Sequence, residues 1–213
     1  MQIPSRAPKR RFRRKDARPS EIVEAALALF TDRGFAATRL EDVAARAGIG
    51  KGTIYLYFPT KEELFRAVVR RRLVPNLDAI EAMIARHAGS SAELLLGVAA
   101  RAQQLIATDI AAIPKLVLAE SGNFPAIAQL YAEEVAKRGL AMLERVFARG
   151  IASGEFRPLD PHCLVPVFTG PLLQMALWQQ SLGRHTDIQF DPAKVIETHV
   201  DVFLRGIAAA SDA

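Results

Sequence analysis

The stretch Lys51-Gly52-Thr53-Ile54-Tyr55-Leu56-Tyr57 gathers an ammonium, a hydroxyl and two phenols within one short segment, with a glycine among them. Such groups donate hydrogen bonds to phosphate oxygens and base edges, the phenol rings touch thymine methyls, and Gly52 lets the backbone come close. Thr38, Arg39 and Lys61 stand at helix starts on either side, where free N–H groups also favour anions, and are candidate clamps on a phosphate backbone. Tyr57 has a second reading as a core anchor beside Phe58, and Lys61 one as a solvated first-turn lysine. The run Arg70-Arg71-Arg72 reads as a solvated helix face. Bond-breaking chemistry finds no comparable support. No nucleophile with a base and no paired carboxylates stand in context, and the Gly-Lys-Gly-Thr stretch at 50–53 lacks the earlier glycine and the preceding strand of a phosphate loop. His87, His162, His185 and His199 lie far apart and Cys163 is alone, so no enzyme, metal site or cofactor is expected.

Donors of this kind need a scaffold that holds a short helix outward. A helix-turn-helix requires a small residue in its first helix where the second crosses, a glycine in the turn, and apolar residues fixing the angle. Ala44 and Gly48 stand at that spacing, with Val43, Ala47, Ile49 and Ile54 apolar around them. A preceding helix starts near Ser20, carries Ile22, Ala26, Leu29 and Phe30 on one stripe, and ends at a Gly34 C-cap against which Phe35 packs. Thr38 to Glu41 reads as a capping box opening the second helix, and Thr60 to Glu63 as another opening a long helix toward His87, with Pro75 as a kink.

The joint pattern Gly34-Phe35, Thr38, Val43-Ala44, Ala47-Gly48-Ile49, Lys51-Gly52-Thr53-Ile54-Tyr55 and Tyr57-Phe58-Pro59-Thr60-Lys61 resembles the TetR family of regulators over about residues 20–66. Gly50 departs from it, because a serine usually sits there. Beyond residue 75 only the all-helical layout matches. The resemblance implies an all-α fold, with a three-helix DNA-binding domain at 20–66 and a larger helical effector-binding and dimerisation domain at 67–213. It also implies the same reader and clamp positions: Thr38, Arg39, Lys51, Gly52, Thr53, Tyr55, Tyr57 and Lys61.

Composition agrees with that layout. The first 72 residues hold 17 Lys and Arg against 8 Asp and Glu, a net of +9, whereas the remainder holds 11 against 15, a net of −4. A polyanion partner is therefore expected at one end only. Residues 1–19 read as a basic arm, disordered when free and suited to phosphate or a minor groove. Half the chain is hydrophobic, with few aromatics, which favours packed helices. A lone cysteine fits a reducing cytoplasm, and neither a secretory signal nor a membrane span is expected.

Later helices are expected at Ser91 to about Thr108, around Leu116 and Leu118, Pro125 to Ser153, 161–182 and 192–210, with Asp160-Pro161 and Asp191-Pro192 as cap-plus-proline starts. The resemblance implies a homodimer through the last two, whose apolar residues Leu164, Val167, Phe168, Leu172, Met175, Leu177 and Trp178 occupy more than one face. It also implies a small-molecule effector pocket in the middle helices. Candidate lining is Met83, Leu95, Gln103, Leu116, Phe124, Tyr131, Phe168 and Trp178, each of which has a plain core alternative. The expected function is a sequence-specific regulator, a repressor released from a palindromic operator by its effector. The alternative is an architectural DNA-binding protein that senses nothing.

Overall fold

The computed structural model describes the backbone over residues 13–210 and side chains over residues 19–210. The expected basic arm lies outside the described residues from 1 to 12. Its remainder is a correction: α1 spans Arg13–Arg33, starting well before Ser20. Arg, Lys and Ala are good helix formers and favour extending the helix upstream, while Pro19 lies inside it and forgoes its own amide bond.

Two compact units follow one another, dividing between Arg71 and Arg72. The first holds α1, α2 (Leu40–Arg46), α3 (Lys51–Tyr57) and α4 (Lys61–Val68). Its core draws Ile22, Leu27 and Phe30 from α1, Val43 and Ala44 from α2, Ile54 from α3, and Leu64 and Phe65 from α4, all buried. Phe35 packs after the Gly34 turn, where φ is +83°, and closes a ring triad with Phe30 and Phe65 at centroid distances of 5.2, 6.1 and 5.8 Å. Each such pair adds roughly 0.5–1.5 kcal/mol beyond its buried area.

The helix expected from Lys61 to His87 is interrupted. A π turn over Val69–Leu73 precedes α5 (Val74–Arg86), so Pro75 falls in the first turn of α5, where a missing N–H costs least. Asn76 Nδ2 donates to the Arg72 carbonyl at 2.8 Å. A widened π turn thus precedes Pro75 where one continuous helix was expected.

The second unit continues with α6 (Ser91–Ile106), α7 (Ala112–Glu120), α8 (Pro125–Tyr131), α9 (Lys137–Ala152), α10 (Pro161–Gln180) and α11 (Pro192–Ile207). Another π turn, Ala132–Ala136, joins α8 to α9 where one uninterrupted helix was expected. Starts expected from local chemistry are in place. Ser90 and Glu93 form a reciprocal capping box, while Asp160 and Asp191 accept from the amides of His162 and Ala193 at 2.9 and 3.0 Å. Leu95, Phe147, Phe168 and Phe203 anchor one continuous core between α6, α9, α10 and α11. The rings of Phe147, Phe168 and Phe203 lie 5.3–6.1 Å apart.

Two polar arrangements brace this unit. Arg138 on α9 reaches Asp78 at 2.6 Å and Glu81 at 2.5 Å, both on α5. Glu155 accepts from the Ser91 amide at 2.7 Å and the Ala92 amide at 3.2 Å, and so caps the start of α6 from a distant loop. That loop is itself tied to the end of α11, since Arg157 N donates to the Ile207 carbonyl at 2.9 Å and Ala209 N to the Glu155 carbonyl at 3.0 Å. No helix among the described residues is long and apolar enough to cross a membrane.

Candidate nucleic-acid interface

α2 and α3 meet through a turn whose geometry follows from Gly48. Its φ of +66° lies in the left-handed region that other residues adopt only at a cost, and it lets the Ile49 amide return to the Ala44 carbonyl at 2.9 Å. Leu40, Val43 and Ala44 bury one face of α2, and Ile54 and Phe58 bury the inner side of α3. The rest of α3 is turned outward because two inward anchors four residues apart leave little else of a seven-residue helix to hide.

On that outward side Lys51, Gly52 and Tyr55 are exposed, and Thr53 and Tyr57 are half-buried. A Cβ at Gly52 would meet nothing within 4 Å, so the backbone there is open to close approach. Gly50 is the N-cap of α3, and a side chain there would meet only Thr53 Oγ1, at an ordinary 3.5 Å. Tyr57 is neither fully buried nor fully exposed.

Two expected clamp residues are turned inward. Thr38 is 1% exposed, and its hydroxyl donates to the carbonyls of Gly34 at 2.7 Å and Leu29 at 3.3 Å. With that oxygen committed to the α1–α2 turn, the N-cap of α2 shifts to Arg39, whose amide donates to Asp42 at 3.4 Å. The capping box expected from Thr38 to Glu41 is thus displaced by one residue. Lys61 Nζ donates to the carbonyls of Phe35 at 2.6 Å and Ala36 at 3.0 Å, and lies 4.4 Å from the centre of the Phe35 ring. It satisfies carbonyls left by the Gly34 turn. Arg39 is exposed.

Two residues at this surface were not singled out from sequence. Leu56 is 84% exposed on α3. Its position midway between the inward Ile54 and Phe58 was the available signal. Glu41, early in α2, accepts from Lys51 Nζ at 3.0 Å and from the Tyr55 hydroxyl at 2.8 Å. Its own backbone amide, Lys51 and Tyr55 hold the carboxyl far below the usual carboxylate range, at about 2. The ion pair correspondingly raises the Lys51 ammonium, and donation to Glu41 raises the Tyr55 phenol.

The candidate effector residues do not share one setting. Leu95 and Phe168 are fully buried in the core, and Leu116 is buried as well. Met83 and Trp178 flank the core, and Trp178 stacks edge-on against Phe190 at 5.2 Å. Gln103 stands apart on a groove of about 580 Å³ between α6 and α11, beside Leu96, Ala100 and Leu204. Phe124 and Tyr131 are half-buried around α8. The Tyr131 hydroxyl is raised in pKa by burial.

Residues 22–68 match the family described as bacterial regulatory proteins, tetR family, and residues 93–207 match the AefR-like transcriptional repressor C-terminal domain. The HTH-type transcriptional regulator YfiR of Bacillus subtilis (strain 168) is 29% identical over 164 residues, covering 76% of this chain and 79% of that protein. The fatty acid metabolism regulator protein of the same organism is 29% identical over 147 residues, covering 67% and 74%. Among solved structures, the transcriptional regulator FadR from Bacillus subtilis in complex with stearoyl-CoA shares the fold with a TM-score of 0.73 at 22% identity, over 88% of this chain and 98% of that one. A TetR family transcriptional regulator from Pseudomonas syringae gives 0.70 at 26% identity, over 92% and 99%. With a helix-turn-helix at one end and a matching helical domain over more than half its length, this chain belongs to the TetR family of DNA-binding transcriptional regulators.

Proposed function

We propose that the protein is a homodimeric repressor that reads a palindromic operator with α3 and releases it on binding an apolar or amphiphilic effector. One observation carries the reading: α3 is fixed from within by Ile54 and Phe58 and turns Lys51, Gly52, Tyr55 and the exposed Leu56 outward together. Lys51, Thr53, Tyr55 and Tyr57 serve as donors to phosphates and base edges, Leu56 as an apolar contact for thymine methyls, and Arg39 as a backbone contact. Thr38 and Lys61 support that surface by ordering the loop behind it.

Dimerisation through α10 and α11 is supported by Val167, Leu173 and Val202, large apolar side chains left exposed on those two helices. A two-fold dimer would set its readers at the spacing of successive major grooves, roughly 34–36 Å. For the effector, the likeness to a regulator in complex with stearoyl-CoA and to one named for fatty acid metabolism favours a long-chain acyl thioester. The Tyr131 hydroxyl, raised in pKa by burial, is a candidate hydrogen-bond partner for such a molecule.

Selection from a pool of random duplexes at two salt concentrations tests the reading. Enrichment of a short palindrome, released when stearoyl-CoA is added, is the expected result. Retention without an enriched motif, lost steeply with salt, would refute it in favour of architectural binding. An enriched palindrome unaffected by acyl-CoA would refute the effector alone.

A further inference from the structure

The Glu41 carboxylate bridges two donors of α3. Its Oε1 atom lies 3.0 Å from Lys51 Nζ and 2.8 Å from the Tyr55 hydroxyl, so one carboxylate oxygen already holds both charged and phenolic donors of α3. Lys51 and Tyr55 are exposed, and exposed ion pairs contribute little to folding, commonly between zero and about 1 kcal/mol. A stability role therefore leaves this arrangement largely unexplained.

We infer that Glu41 is a specificity-determining positioning residue: by holding Lys51 and Tyr55 it competes with DNA phosphates and lowers sequence-independent affinity, while presetting both side chains for the operator. The inference rests on the DNA-reading role of α3 argued above. On arbitrary duplex nearly all affinity comes from phosphate neutralisation, so a lysine held by an internal anion weakens the complex directly. On the operator the same anion has already fixed two rotamer-rich side chains, which reduces the ordering cost of the base contacts. Glu41 thus acts oppositely on the two kinds of complex.

The test compares wild type, Glu41→Gln, Lys51→Met and the double variant. Binding is measured over a salt series to a random-sequence duplex and to the palindrome recovered by selection. Glu41→Gln should bind the random duplex roughly threefold to tenfold more tightly and steepen its logarithmic salt dependence by about 0.9, the increment of one added phosphate contact. The palindrome should gain less, so the ratio of the two affinities falls. In the Lys51→Met background, where only Tyr55 is freed, the same substitution should leave the salt dependence unchanged and give a clearly smaller gain. The inference is overturned if Glu41→Gln matches wild type on the random duplex, or if its full gain persists without Lys51, since that would be a general charge effect. Wild-type protein that retains no duplex at low salt would overturn the DNA reading itself, an outcome separate from intact wild-type binding with an unresponsive Glu41→Gln.

Discussion

Replacing Glu155 by Gln should loosen the second unit at the start of α6, by an amount the geometry sets. The carboxylate takes both oxygens to the Ser91 amide, at 3.0 and 2.7 Å, and shares one with the Ala92 amide at 3.2 Å. Ser91 is fully buried, so water cannot replace what is lost. A glutamine keeps one acceptor and sets an NH2 against amides that cannot accept from it. Hydrogen bonds to a charged group contribute about 1.5–3 kcal/mol, and that is the expected loss at neutral pH. At roughly 2–4 °C per kcal/mol for chains of this size, the melting temperature should fall by roughly 3–12 °C. Burial raises the Glu155 pKa, but the Ser91 and Ala92 amides with Ser153 outweigh it and hold the carboxyl below its ordinary 4.5. A depressed carboxyl stabilises the fold above its unfolded pKa and loses that contribution as pH falls through the folded one. The gap between wild type and variant should therefore be full at pH 7 and close below about 4.5. Scanning calorimetry across that range measures it. Equal melting temperatures at pH 7, or a gap that persists in acid, would refute the reasoning.

Gly48→Ala should cost about 1–2 kcal/mol in denaturant titration, a purely conformational effect because a Cβ there meets nothing within 4 Å. Gly52→Ala, in equally open space but with helical backbone, should leave stability unchanged or raised by up to about 1 kcal/mol while weakening operator binding in a fluorescence anisotropy titration. Leu56→Ala should leave the melting temperature within about 1 °C of wild type and weaken operator binding several-fold, by roughly 1 kcal/mol of lost base contact. Val167→Glu combined with Val202→Glu should shift sedimentation from dimer to monomer without unfolding the chain, as both side chains are exposed in the single subunit.

Features governed by near neighbours in sequence were legible in advance. Asp160-Pro161, Asp191-Pro192 and Ser90 with Glu93 start helices as their chemistry predicts, because a cap needs only residues two or three positions away. Gly48 was legible for the same reason. Thr38 and Lys61 have partners that no local pattern reveals: the Leu29 carbonyl is nine residues from Thr38, and the Phe35 carbonyl twenty-six from Lys61. A hydroxyl or ammonium fits a phosphate and an orphaned carbonyl equally well, and only the fold decides which is within reach. Both π turns escaped notice because the apolar stripe on either side continues through them, so periodicity registers a helix and not its register. The pairing of Glu41 with Lys51 and Tyr55 crosses the helix-turn-helix and has no local signature.

The bond between Ala209 N and the Glu155 carbonyl carries a consequence for the order in which the chain matures during synthesis. The first unit draws its core from residues that have all been made once the chain reaches Val69, and it is free to fold while translation continues. The second unit has to wait, because the loop that caps the start of α6 is fastened by residues 207 and 209. For the interval between those two events a nascent chain presents a finished DNA reader joined to an unfinished partner domain. On the repressor reading proposed above, the reader could then meet DNA before the domain assigned to pairing and release has folded.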